Sequence, residues 1–217
     1  SVFTGREGLL IEYRFTPDGW VEFIHDKAPR HVVPPKKVED GFGGSTLHSR
    51  WQWSVFQQPR VALKGGELYL PAANTESGNF LGRHTTSANY TVTVKLHAQK
   101  STAAAGVAAI GDEKNTVTAF YRNGVVRLLE LRDGKESEIA RKTFTKTAKP
   151  VLRMQVRNGK DIRFFFSTTG RQFTALTMNG IDGGFLPPWD RAVRAGIVAK
   201  GADGTTGVFD NFEMVNQ

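Results

Sequence analysis

Two pairs of neighbouring acids are the residues of this chain whose spacing could support acid–base catalysis. Hydrolysis by paired carboxyl groups needs one acid on each side of the bond that breaks. Glu136 and Glu138 lie beside a predicted hairpin, and no third acid follows them at matching spacing. Asp112 and Glu113 lie in the turn-like segment 111–115. Because acids are common on exposed strands and in turns, we interpret both pairs as structural and predict no catalytic residue in this chain.

Aromatic side chains form the second set with possible chemistry, because the apolar faces of sugar rings stack on exposed aromatic rings. The candidates are Trp51, Trp53, Phe56, Phe185 and Trp189. Trp51 and Trp53 share one strand face by their spacing, which favours packing in a core. Phe185 and Trp189 belong to a proline-containing loop, and loops often carry function. The alternative is a loop that only packs.

Strand signals dominate the chain from about residue 90 onward, and these strands must position any functional side chain. Three segments alternate apolar and polar residues: 90–96, 151–157 and 192–198. This pattern is typical of strands with one face in a core. Glycine turns suited to two-residue hairpins follow at four places: 123–124, 133–134, 158–159 and 179–180. No segment predicts a helix of useful length, so we predict an all-β fold of two antiparallel sheets.

The ends of the predicted sandwich suggest a metal site. We expect the first and last strands to meet, which would bring Glu39 or Asp40 towards Asp210. Strict alternation along the last strand places Asp210 on the same face as Phe212. A carboxylate on an apolar face needs a partner or a cation, and calcium takes oxygen ligands of this type. The sequence therefore predicts a structural calcium ion at Glu39, Asp40 and Asp210, with a hydrogen-bonded aspartate at the strand end as the alternative.

The first 38 residues differ from the rest. Segment 9–15 and segment 20–23 are strand-like and flank the turn Pro17–Gly19. A polar stretch with two adjacent prolines, 29–37, follows and is typical of a linker. A two-stranded piece is barely stable alone, so we expect it to pack on a neighbour. The predicted organisation is a short β piece with a linker over 1–38, then a sandwich over 39–217.

Composition excludes several classes of protein. The chain of 217 residues has no cysteine, which excludes disulfides and thiolate metal sites. Its five histidines lack the close spacing of a zinc site. The net charge is +8, but the Lys and Arg residues are spread along the chain, so nucleic acid is not an expected partner. No apolar run approaches a membrane span. The chain starts at Ser1 with no apolar signal segment, so we expect a removed leader or a fragment.

Several short motifs, taken in order, resemble the C-terminal domain of family 43 glycoside hydrolases of the β-xylosidase type. They cover roughly residues 39–217 and are the following: Arg50-Trp51-Gln52-Trp53, Gly66 to Pro71, Asn79 to Thr85, Gly106 to Ile110, Thr118 to Arg122, Val193 to Val198, and Phe209-Asp210-Asn211-Phe212. Residues 1–38 are similar to the end of that family's catalytic propeller, through Gly5-Arg6-Glu7 and Asp18-Gly19-Trp20.

The resemblance implies a concanavalin A-like jelly roll that packs on an upstream catalytic domain and helps form its glycan pocket. The family's catalytic acids would lie in the propeller, and its substrates are plant-type oligosaccharides of xylan or arabinose type. A loop of this domain brings an aromatic residue to the rim of the active site, which here implies Phe185 or Trp189 as the substrate-binding residue. The sequence departs from the family there, with Pro187-Pro188-Trp189 in place of a Gly- and Phe-rich loop. A periplasmic or secreted bacterial protein is expected.

Other functions remain open. An independent, lectin-like carbohydrate-binding module would bind sugars by itself. A purely structural interaction domain would show an apolar patch formed by residues 1–38 and the adjoining sandwich face. A jelly-roll hydrolase active by itself is disfavoured because the acids it needs are missing.

Overall fold

The computed structural model describes residues 11–24, 35–56, 58–186 and 192–217. All regular elements within this described part are β-strands. In chain order they are β1 (Tyr13–Phe15), β2 (Val21–Phe23), β3 (Lys37–Asp40), β4 (Ala62–Lys64), β5 (Glu67–Pro71), β6 (Asn79–His84), β7 (Tyr90–Leu96), β8 (Ala104–Ile110), β9 (Thr116–Arg122), β10 (Val125–Arg132), β11 (Lys135–Thr143), β12 (Val151–Arg157), β13 (Asp161–Ser167), β14 (Thr174–Ala175), β15 (Ile181–Asp182), β16 (Arg194–Lys200) and β17 (Thr206–Asn216). None of the described segments forms a helix long and apolar enough to cross a bilayer.

Two large antiparallel sheets form the sandwich, as the sequence predicts. One sheet has nine strands, with β14-β13-β12-β7-β17-β5-β4 in order, β15 beside β13 and β3 beside β17. The other has six strands in the order β11-β10-β9-β8-β16-β6. The first strand of the sandwich, β3, pairs with the last strand, β17, with Asp40 opposite Phe212. The expectation that the two ends of the sandwich meet is therefore confirmed.

The main core lies between the two sheets. Alternation along β7 buries Tyr90, Val92 and Val94 while the threonines between them are half-buried. The six-stranded sheet has a second, smaller apolar cluster on its other face. Its buried members are Phe80, Ala108, Ile110, Phe120, Leu129 and Val198. They are adjacent in sequence to main-core residues and therefore point the opposite way, so both faces of this sheet are covered. This explains why β16 is buried from Arg194 to Ala199 instead of alternating.

Three of the predicted glycine turns form tight hairpins. Asn123, Asp133 and Asn158 have φ of 51°, 51° and 52°, and the glycine after each is also in the positive region. Asparagine and aspartate tolerate this conformation better than other residues with a side chain. The prediction for 179–180 is wrong. This segment lies between β14 and β15, and both of those strands pair with β13 instead of with each other.

A β-bulge changes which residues of β17 face the main core, so the strand face predicted for Asp210 is wrong. Phe209 and Phe212 are both fully buried in the main core. Opposite β7 the register shifts between Phe209 and Asn211. A bulge adds one residue to a strand and so reverses the alternation beyond it. Asp210 therefore does not share the core face of Phe212, as strict alternation predicted, and its carboxylate accepts a hydrogen bond from Lys149 Nζ at 3.2 Å.

The remaining element is a small hairpin. β1 and β2 pair with Tyr13 opposite Phe23, and Arg14 donates to Glu22 at 2.6 Å across the pair. All six strand residues are exposed. The hairpin was expected from segments 9–15 and 20–23, although residues 1–10 lie outside the described part of the chain.

Candidate functional site

Arg194 organises one end of the sandwich, where three loops meet. It is the first residue of β16 and is about nine-tenths buried. Its guanidinium donates to the carbonyl of Trp53 at 3.4 Å and to that of Gly111 at 3.2 Å. It also lies over the ring of Phe80, 5.2 Å from the centroid. A cationic donor strengthens such bonds, so Arg194 joins the loop before residue 56 to the turn 111–115.

The third loop, 183–186, reaches this turn because residue 111 is a glycine. A Cβ atom at Gly111 would lie 1.8 Å from the carbonyl oxygen of Leu186. Any other residue would force the two segments apart. The Ser54 hydroxyl donates a hydrogen bond to the Glu113 carboxylate, which also ties the segment 52–56 to this turn. We call this end of the sandwich, made of residues 52–56, 111–115 and 183–186, the loop rim.

An exposed apolar pair projects from the loop rim. Val55 is 71% exposed and Phe56 is 83% exposed. The backbone N–H of Phe56 donates to the Ser54 hydroxyl at 3.1 Å, which fixes the turn that presents both side chains. An exposed aromatic ring beside polar groups is the arrangement that stacks on a sugar ring or packs on another protein. Among the aromatic candidates, Phe56 is thus the one the described structure presents to solvent at this end.

The structure places Phe185 in the loop rim, but not as an open platform. It is half-buried and packs against the main core. The Arg132 guanidinium covers its ring at 4.1 Å from the centroid. A substrate-binding role for Phe185 stays a prediction. Trp189 lies outside the described residues, as do the two prolines before it.

Trp51 and Trp53 pack as their shared strand face predicts. Trp51 is fully buried in the main core, and Trp53 packs against that core while partly buried. The Trp51 indole N–H donates to the Asp40 carboxylate at 2.7 Å. Neither ring is an exposed stacking surface.

The acid pairs have structural partners. Glu138 accepts hydrogen bonds from Arg141 at 2.8 Å and from Arg127 at 2.5 Å, and these two guanidiniums lower the pKa of its carboxyl to about 2. A general acid needs a raised pKa instead. Asp112 accepts from the backbone N–H of Lys114 at 2.8 Å, the turn role predicted for it.

One buried acid escaped sequence analysis. Glu67 is 6% exposed and accepts hydrogen bonds from Lys100 Nζ at 2.7 Å, from His97 Nδ1 and from the Tyr69 hydroxyl at 3.2 Å. Burial alone would raise the pKa of Glu67, but these three donors outweigh it and lower the pKa to about 2. The three partners are up to 33 residues away along the chain, so no local motif predicts the cluster.

The predicted calcium ligands each have partners of their own. Glu39 forms an ion pair with Lys37 at 2.7 Å, and Asp40 accepts from Trp51 and from the backbone N–H of Phe42. Asp210 pairs with Lys149. Within the described residues, no group of three or more His, Cys, Asp or Glu side chains is arranged to hold a metal ion. In these contacts the three acids do not converge on one point. Calcium binding stays a prediction, which titration would test.

Residues 39–187 match the family described as the β-xylosidase C-terminal concanavalin A-like domain. The chain belongs to this family. Domains of this family are the C-terminal part of family 43 glycoside hydrolases, and the jelly-roll fold expected from the motifs is confirmed. No curated protein matches the chain.

Solved structures are similar to this domain over nearly the whole chain. A family 43 protein from Bacillus licheniformis is 22% identical with a TM-score of 0.75, covering 98% of this chain and 47% of that one. A family 43 protein from the xyloglucan locus of Bacteroides ovatus is 21% identical with a TM-score of 0.72, covering 99% and 48%. A carbohydrate-binding module from Bacillus subtilis, of family 66, is 13% identical with a TM-score of 0.53, covering 77% and 96%. The chain thus spans about half the length of the family 43 structures.

Proposed function

We propose that this domain packs on a catalytic domain of family 43 type and forms one side of its glycan pocket. The observation that carries the proposal is the apolar hairpin β1–β2, which the sandwich leaves uncovered. Tyr13 is 54% exposed, Phe15 66% and Trp20 75%. A lone two-stranded hairpin is marginally stable in water, and large exposed apolar patches mark interaction surfaces. A neighbouring domain that covers these rings would stabilise the hairpin.

The loop rim supports the second half of the proposal. Val55 and Phe56 are exposed next to polar loops held together by Arg194. A rigid loop with an apolar tip suits contact with a sugar ring or with the wall of a neighbouring pocket. The loop predicted to reach the substrate, with Phe185, belongs to the same rim.

The comparisons favour a plant-glycan substrate for the whole enzyme. A relative from Bacillus halodurans, with a TM-score of 0.70 over 94% of this chain, is a xylan β-1,4-xylosidase. We extend that activity class to the parent enzyme as a proposal, with xylan or arabinose-containing chains as substrates and the periplasm or the exterior as its location. Among the described acids, Glu136 and Glu138 form ion pairs and Asp112 caps a turn, so the carboxylates for hydrolysis would come from the partner domain.

The test uses the gene product that carries this chain, assayed for hydrolysis of xylo- and arabino-oligosaccharides. Phe56→Ala should lower kcat/KM about tenfold, the loss expected for one aromatic contact, without changing Tm. The double variant Phe15→Ser with Trp20→Ser should separate the thermal transitions of the two domains. Met178→Ser is the matched control, since Met178 is 98% exposed and lies outside both surfaces. If all three variants behave alike, the proposal is wrong.

An independent carbohydrate-binding module is the second candidate. It is favoured by the fold likeness to the Bacillus subtilis module, of which the match covers 96%. Isothermal titration of the purified chain against the same oligosaccharides, with and without calcium, separates the two candidates. Micromolar to low millimolar binding that Phe56→Ala weakens would support the module. Absence of binding, together with the kinetic losses above, would support the domain that lines a pocket.

A further inference from the structure

A cavity of about 200 Å³ lies at the open edge of the sandwich. β3, β6 and β17 contribute to its walls, together with the segment that follows His48. Two of its lining residues, Arg50 and Arg83, carry guanidinium groups, and none of its described lining residues is an acid. The cavity is therefore a positively charged recess between the two sheets.

Arg83 is the unusual member of this lining. Only 7% of it is exposed, yet it makes no hydrogen bond and no ion pair with any described residue. Its guanidinium lies over the Trp51 ring, and the ring centroid is 5.3 Å from the guanidinium carbon. Burial lowers the pKa of Arg83, and the charge of Arg50 lowers it further. A buried cation normally has a counter-ion, so Arg83 has unused capacity to bind an anion.

The nearest acid does not fill this role. Asp40 acts on Arg83 through space, but its carboxylate already accepts the Trp51 indole N–H at 2.7 Å and the Phe42 N–H at 2.9 Å. The exposed Arg50 adds a second guanidinium at the cavity mouth. Neither guanidinium donates a hydrogen bond to a described residue, and each could bind a carboxylate through paired hydrogen bonds.

The rest of the lining indicates what the carboxylate would be attached to. Val38 and Met214 provide apolar wall, while Gln52 and Thr86 provide neutral polar groups. Thr86 accepts a hydrogen bond from the Asn216 amide at 3.1 Å, which leaves its hydroxyl hydrogen to donate. Apolar walls with a few placed polar groups are typical of small-molecule sites. A ring with hydroxyl groups on one side and C–H groups on the other would use both kinds of wall.

We propose that this cavity binds a sugar acid of hexuronate size, with its carboxylate held by Arg83 and Arg50. Gln52 at the start of the loop rim also lines this site, but the proposed binding does not depend on contact with a catalytic domain. It would give the domain a preference for acidic glycans or for glycans with acidic substituents.

The experiment titrates the intact 217-residue chain, observed by NMR, with D-glucuronate and D-galacturonate. The comparison ligands are glucose, galactose and inorganic phosphate. At least one uronate should bind about tenfold or more tightly than its neutral hexose, because the charged hydrogen bonds are lost with the carboxylate. The shifted resonances should include those of residues 50–52 and 83–86. Equal binding of uronate and hexose, binding of phosphate in preference to both uronates, or no binding of either uronate would each overturn the proposal.

Variants keep the test independent of folding. Arg83→Met removes the buried charge and should abolish binding, whereas Arg83→Lys should retain part of it. Since Arg83 packs on Trp51 and its loss could disturb the core, Arg50→Met provides the second arm. Arg50 is exposed, so Arg50→Met should keep the wild-type spectrum and weaken uronate binding about tenfold. Arg60→Met, at an exposed arginine outside the lining, is the matched control. Unchanged uronate binding in Arg50→Met and in a folded Arg83 variant would refute the site.

Discussion

The indole nitrogen of Trp51 donates a 2.7 Å hydrogen bond to the carboxylate of Asp40. Trp51 also meets the Phe212 ring edge-on, with centroids 4.8 Å apart. Asp40 and Phe212 are opposite each other in the pairing of β3 with β17. One buried tryptophan therefore connects the first and the last strand of the sandwich.

Asp40→Ala should destabilise the domain by about 1–3 kcal/mol, because it leaves the buried Trp51 N–H without an acceptor. The same change removes the acceptor of the Phe42 N–H, and Phe42 itself is held at φ 55°. Urea unfolding monitored by tryptophan fluorescence measures the loss. Asp203→Ala, in an exposed turn, is the control. If the two variants have the same midpoint, the Trp51 bond contributes nothing measurable.

Glu67 should make the stability of the domain depend on pH. Its folded pKa of about 2 lies below the value of about 4.3 for an unfolded glutamate. A depressed folded pKa stabilises the protein above the unfolded pKa, and this stabilisation is lost as pH falls towards the folded pKa. Glu67→Gln should therefore cost about 1–3 kcal/mol at pH 7, and its Tm deficit should shrink between pH 5 and pH 2. Glu76→Gln, at an exposed acid, should show no such convergence. A deficit that is constant with pH would contradict the role of the charge.

Gly196 should tolerate no side chain. A Cβ atom there would lie 2.1 Å from the Leu81 carbonyl oxygen and 2.7 Å from the Gly82 Cα, both backbone atoms of β6. Because backbone in a paired strand cannot move aside cheaply, Gly196→Ala should cost about 1–3 kcal/mol or prevent folding. Gly41→Ala, where an added Cβ meets nothing within 4 Å, should be close to neutral. Thermal unfolding by circular dichroism compares the pair, and equal Tm values would show that β6 can shift.

The elements that local sequence could predict were those with a local cause. Asn123-Gly124 and Asn158-Gly159 form tight turns because their own backbone preferences decide the conformation. Strand β7 alternates because only one of its faces lies in the main core. The sequence predicts that Phe209 and Phe212 lie on opposite faces of the last strand, and this is wrong. The bulge between them depends on the pairing with β7, which is distant in sequence.

The candidate site was harder to predict, because its key residues are defined by partners distant in sequence. Arg194 acts on carbonyls 141 and 83 residues away, and Arg83 is notable only because the fold buries it with no ion pair to a described residue. The loop position of Phe185 can be predicted from the sequence, but the Arg132 guanidinium over its ring depends on the fold. Phe56 was one of several aromatic candidates, and its exposure was needed to separate it from Trp51 and Trp53.

The antiparallel pairing of β3 with β17 also determines how the domain would respond to mechanical load. Lys37 lies opposite Val215, and the Asn216 N–H donates to the Lys36 carbonyl at 2.8 Å, so the chain enters and leaves the sandwich side by side. Tension applied between these two points would open the pair one hydrogen bond at a time from its end, like a zipper, instead of shearing all the bonds together. The resulting rupture force would be low for a sandwich of this size, and the first strand to detach would be β3.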